Sequence, residues 1–218
     1  MNLPDTTFGV EFEGYGVSRY ELVDKMRENG LNAIVASYSG SDYSKWQVKT
    51  DGSIDGPEGF EIVSPRLNGQ VGINEVLIAL RCARELGADA NRSCGFHIHW
   101  DVASWGIKNF RNFFKRWAKF EYGIDLLQPK SRRGNNAYYT KSMYYLPLVA
   151  GQPSLETIKD LFTRVDSCRS VNQIMNDVQG TRYKKLNLMK FHRTGTIEIR
   201  HGSGTFEDAK VLNWIALT

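Results

Sequence analysis

Three short segments alternate polar and apolar side chains with a period of two: Val10-Glu11-Phe12-Glu13, Phe96-His97-Ile98-His99-Trp100 and Thr196-Ile197-Glu198-Ile199-Arg200. Neighbouring strand residues point to opposite faces. Each segment therefore gives Val, Phe, Ile or Trp to a core and aims carboxylates, imidazoles or a guanidinium at the other side. A chain of this kind is restricted to a sheet with one apolar face and one crowded polar face. Three glutamates and two histidines brought together are costly unless a cation sits among them, and hard divalent ions suit such donors. The pattern is that of a metal site.

A chain of 218 residues can bury a substantial core, and we read it as one domain over residues 1–218. No stretch approaches the roughly 20 apolar residues of a membrane helix, so no membrane partner is expected. The N-terminal Met1-Asn2-Leu3-Pro4-Asp5 has neither a basic nor an apolar signal region, and Cys82, Cys94 and Cys168 are odd in number and far apart. A reduced, cytoplasmic protein is the expectation. The net charge of +4 is too small to imply nucleic acid by itself. Its distribution is more telling: acidic groups supply the first strand, whereas the second half is basic through Arg132, Arg133, Lys141, Lys184, Lys185 and Arg200. Carboxylates for an ion and cations for phosphates suit a metal bound to polyphosphate.

Along the chain, Ser18-Arg19-Tyr20-Glu21 reads as a capping box opening a helix that stops at Gly30. Trp46-Gln47-Val48-Lys49 and Phe60-Glu61-Ile62-Val63 flank a turn-rich segment and form a hairpin ending at Pro65, with Glu61 facing away from Phe60 and Ile62. A helix is expected from Ile73 to Leu86 with a stop at Gly87. A second, with an aromatic core stripe, runs from Trp105 to Leu127, and a third is capped by Ser154. Residues 130–145 have no period and read as a loop. A final helix begins near Glu207 and is expected to be cut short at Thr218, leaving the domain truncated there. Strands mixed with helices, on an antiparallel or mixed sheet, make an α+β class.

Several readings of the individual motifs stand open. Glu11 and Glu13 alone would suit a solvated acidic strand face, although Gly9, Gly14 and Gly16 would let a backbone or ligand come close. Cys94, His97 and His99 could be a zinc set lacking its fourth ligand, or Cys94 a nucleophile with a histidine base. Glu198 and Arg200 could pair across the sheet. The Gly14-x-Gly16 pair lacks the third glycine of a dinucleotide fingerprint, and no Walker lysine loop is present.

Phe8-Gly9-Val10-Glu11-Phe12-Glu13, Trp46 through Asp51-Gly52-Ser53-Ile54, Gly59-Phe60-Glu61-Ile62-Val63-Ser64-Pro65, Cys94 through His99, Leu186-Asn187-Leu188 and Gly195 through Arg200 together resemble the amidoligase family, in motif order and over nearly the whole chain. That family belongs to the carboxylate–amine ligase superfamily of glutamine synthetase and glutamate–cysteine ligase. The resemblance implies a glutamine-synthetase-like fold, with a curved, mainly antiparallel sheet forming a funnel and helices on its outer face. It implies ATP and two or three Mg²⁺ ions, with Mn²⁺ as a substitute. Glu13 and Glu61 would hold one ion, and Glu11, His97 and Glu198 another. His99, Arg193 and Arg200 would contact the nucleotide, Arg193 standing in for an arginine where this chain has Thr196. Arg200 and Asp51 are the catalytic candidates, with Asp51 or Glu58 as companions of Glu61.

The expected activity is an ATP-dependent carboxylate–amine ligase that forms an amide or isopeptide bond through an acyl phosphate. Its partners would be a carboxylate donor and an amine acceptor, either of them an amino acid, peptide or protein. Oligomeric state is not readable from the sequence. Two other readings compete: a metal-dependent amidohydrolase that needs no ATP, and an inactive scaffold whose basic, tyrosine-rich 130–145 segment binds nucleic acid. The intact acidic strand positions disfavour the scaffold, and nucleic acid is not an expected partner.

Overall fold

The computed structural model describes residues 6–37, 42–133 and 154–218. The chain divides into two compact units, Met1–Asp101 with Gly202–Thr218, and Val102–His201.

In the first unit, strand β1 (Thr7–Gly14) leads to helix α1 (Arg19–Glu28), then β2 (Ala33–Val35), β3 (Trp46–Thr50), β4 (Phe60–Val63), β5 (Leu67–Asn68), helix α2 (Gly69–Glu85) and β6 (Gly95–Asp101). The strands lie in the order β2-β3-β4-β1-β6, with β5 also on β1. Pairing is antiparallel except between β2 and β3. The expected hairpin is present, with Val48 opposite Ile62 and Lys49 opposite Glu61.

Register makes the two faces consistent from strand to strand. Val48, Ile62, Phe12 and Phe96 form one apolar row, all buried, and the Phe12 and Phe96 rings stack with centroids 4.7 Å apart. Trp46, on this face, donates its indole N–H to Glu75 of α2 at 2.8 Å, so α2 covers the apolar side. The buried stripes are Leu22, Val23 and Met26 on α1 and Ile73, Val76, Leu80 and Ala83 on α2. Removing such side chains from water is what holds helices on a sheet.

Two details correct the sequence reading. Ser18 is the N-cap of α1, but its hydroxyl makes no capping bond, so the capping box is not formed. Helix α2 begins at Gly69, a turn before the first apolar residue of its stripe, because Gly69 has φ +52 and turns the chain directly out of β5. Gly87, at φ +86, stops it as expected.

The second unit holds α3 (Ile107–Leu126), α4 (Leu155–Ser167), the short α5 (Val171–Gln173), β7 (Leu186–Asn187), α6 (Phe191–Thr194) and the start of β8 (Thr196–Ser203). The last two residues of β8 return to the first unit, which ends in α7 (Asp208–Leu217). Ser154 caps α4 as expected, accepting the Thr157 N–H at 3.1 Å. The aromatic stripe of α3 is only partly core: Phe110, Phe114 and Trp117 are buried, whereas Phe120 and Leu127 are mostly exposed. The turn Lys130–Arg132 is 3₁₀-helical and buries Arg132, while Arg133 is exposed; residues 134–145, Lys141 included, lie outside the described residues.

The core of the second unit carries charge. Lys185, fully buried, donates to Asp125 at 2.6 Å and lies 3.8 Å from Glu121. His201 Nε2 is 2.5 Å from the same Asp125 oxygen, and Trp117 donates to Glu121 at 3.0 Å. Burial holds the His201 imidazole below its ordinary pKa against the opposing pull of Asp125.

Candidate active site

The non-apolar side of the first unit's sheet is assembled by β1, β3, β4 and β6. Glu13 lies opposite Glu61, and Glu61 opposite Lys49, giving a row that crosses three strands. Glu11 lies opposite His97, and Gly9 opposite His99. The alternation read in the sequence therefore places Glu11, Glu13, Glu61, His97 and His99 on one face.

The side chains meet there. His97 Nδ1 is 3.3 Å from a Glu11 oxygen and its Nε2 is 3.7 Å from a Glu13 oxygen. His99 Nε2 is 3.0 Å from the other Glu11 oxygen. Glu13 also accepts the backbone N–H of Gly95 at 2.5 Å. Glu11, Glu61 and His97 each present one donor atom, all within 4.8 Å of one another. The Glu61 pKa is pushed well above the ordinary carboxylate value, first by burial and then by the charges of Glu11 and Glu13, with Lys49 opposing. Carboxylates held this close without a compensating cation carry mutual repulsion, which a divalent ion would relieve.

Asp51 follows β3 and accepts both the N–H and the hydroxyl of Ser53, at 2.8 and 2.6 Å, so its carboxylate closes a turn. Glu58 is exposed, with φ +52. In the second unit, Glu198 is buried and clamped from two sides: Asn187 of β7 donates to one oxygen at 2.5 Å and Arg200 donates to the other. The cross-strand partner of Glu198 is thus an amide, and its ion pair lies along its own strand. Arg193 is exposed on α6, just before Gly195, whose φ of +71 lets the chain turn into β8.

Cys94 lies immediately before β6, two residues from Phe96, and is fully buried, its thiol 3.8 Å from Asn91 Oδ1. Among the described residues Cys94 is in no group of donor atoms close enough to share a metal ion, whereas His97 is grouped with Glu11 and Glu61, so the zinc set of Cys94, His97 and His99 is not assembled. Gly14 is likewise a packing position: an added Cβ would lie 2.5 Å from the Phe206 ring.

The sequence reading assigned no role to Lys49, although it shares the alternation of Trp46-Gln47-Val48-Lys49, nor to Asn187, which shares that of Leu186-Asn187-Leu188. The signal was the same period of two. Among the described residues, no helix is long and apolar enough to cross a membrane. No curated protein matches the chain. The model of the family described as "Putative amidoligase enzyme" matches residues 4–218.

Proposed function

This chain belongs to that amidoligase family, a family of amide-bond-forming ligases, and on that premise we propose that it is an ATP-dependent carboxylate–amine ligase working through an acyl phosphate. The observation that carries the reading is the cluster of Glu11, Glu13, Glu61, His97 and His99 on one sheet face, with donor atoms of three of them within 4.8 Å. Hard oxygen donors with an imidazole, packed closely enough to repel one another, fit Mg²⁺ or Mn²⁺. Glu11, Glu61 and His97 would hold such an ion, with Glu13 beside them. When bound, it would neutralise developing charge on a transferring phosphoryl group.

The chain's own groups supply orientation. Gly95 N–H fixes the Glu13 carboxylate, and the histidines fix Glu11 from both sides. The donor carboxylate takes the γ-phosphoryl group, ADP leaves, and the amine then displaces phosphate to leave an amide. Glu198 as a further ion ligand, and His99, Arg193 and Arg200 as phosphate contacts, are parts of the same proposal, as are the glutamine-synthetase-like funnel and a cytoplasmic location. The acceptor is an amino acid, peptide or protein amine.

The test is Mg²⁺-dependent ADP release across a panel of amino acids and peptides. Glu13→Gln should abolish it while leaving the melting temperature unchanged or raised, because one of several crowded carboxylates has lost its charge. Hydrolysis of amide substrates without nucleotide would replace the ligase reading with the hydrolase one.

A further inference from the structure

We infer that Lys49 is an anion-binding residue of the carboxylate face, holding a phosphoryl oxygen of a metal-bound di- or triphosphate; this deepens the ligase reading and rests on it. Lys49 is only 8% exposed. Among the described residues its ammonium makes no hydrogen bond and no ion pair. Its stem is buried in the sheet, whereas its nitrogen is not one of the buried side-chain atoms left without a partner, so the charge stays accessible to an anion.

Its place in the fold says which anion. Register puts Lys49 on the same side as Glu61 and Glu13, at the end of the Lys49–Glu61–Glu13 row. With strands about 4.8 Å apart, the row spans roughly 10 Å from the lysine backbone to that of Glu13. Lys49 is close enough for its charge to act on Glu61 yet forms no ion pair with it, so it does not serve as a simple counter-ion. The glutamates take cations and the lysine takes an anion. A ligand that carries both, a divalent ion with a chain of phosphoryl oxygens, satisfies the row from end to end. An ammonium is a compact point charge with three donors, suited to phosphoryl oxygens from several directions.

Calorimetric titration of wild type, Lys49→Gln and Lys49→Arg with Mn²⁺ alone, Mg²⁺–pyrophosphate and Mg²⁺–ADP tests this. Lys49→Gln should bind pyrophosphate and ADP about tenfold or more weakly, the loss expected for one charged hydrogen bond. Lys49→Arg should keep most of the affinity, and Mn²⁺ alone should bind Lys49→Gln as well as wild type or better. Equal loss for the two phosphates assigns the contact to the polyphosphate; loss for ADP alone would overturn the inference. So would wild-type affinity in Lys49→Gln, or a wild type that binds neither phosphate. Should Lys49→Gln fail to fold, the comparison passes to Lys49→Met, with the same outcomes. If wild type binds Mg²⁺–pyrophosphate and the variant does not, yet no substrate supports ADP release, the Lys49 assignment stands and the ligase reading falls. Unchanged ADP release and KM for ATP in Lys49→Gln would leave the ligase and remove the lysine.

Discussion

Lys184 is a residue whose titration is moved by folding. Its ammonium is buried, donates to the Val178 carbonyl at 2.9 Å, and has its pKa lowered from 10.5 to about 8. Burial is the main cause; Glu121 opposes it and Arg164 adds to it. The unfolded chain therefore binds more protons than the folded one between about pH 8 and 10.5, and stability rises with pH across that window. Urea midpoints measured from pH 7 to 10 should climb for wild type relative to Lys184→Met; parallel curves would show that the lysine is not penalised. At this scale the sequence was readable where side-chain chemistry repeats with strand period, as in Glu11, Glu13, His97 and His99. It was not readable for Lys184 or Lys49, because burial of one lysine among many depends on neighbours remote in the chain.

Helix α3 is tied through charge to Lys185, just before β7, and to His201 of β8, both of which meet Asp125. Removing one member of a buried pair strands the other, at a cost of about 3–5 kcal/mol. Asp125→Ala should lower the denaturation midpoint accordingly, and Asp125→Leu combined with Lys185→Met should recover part of the loss; a double variant as unstable as the sum of the singles would deny the coupling. A second element-scale test is Gly202→Ala on β8, since a Cβ there would lie 2.6 Å from the Phe96 carbonyl and 2.9 Å from the Trp214 indole nitrogen. Overpacking of this kind costs about 1–3 kcal/mol, read as a lower melting temperature. Elements with a long period were legible in advance: α1, α2, α3 and α4 announced themselves by apolar spacing and by Gly30, Gly87 and Ser154. Strand β2, three residues long, did not, since so short a run has no period to read. Nor did the Lys185–Asp125 pair, whose members stand 60 positions apart.

Across the whole chain, binding that belongs only to the folded state adds stability by mass action. At a hundred times Kd, Mg²⁺–ATP should contribute about 2.7 kcal/mol and raise the melting temperature of wild type, but not of Glu13→Gln. The family and the α+β, mainly antiparallel class were both legible, because they rest on motif order and period. The position of β1 bears on how the protein is made. This strand carries Glu11 and Glu13, and its partners β4, β5 and β6 all emerge after it, the last ending at Asp101. At about 5–20 residues per second, a ribosome needs on the order of ten seconds to pass from the end of β1 to the end of β6. Until β6 emerges, the edge of the acidic strand that it fills stays open, so a nascent chain stalled before the histidine strand carries all three carboxylates, Glu11, Glu13 and Glu61, and neither of the histidines that share their face.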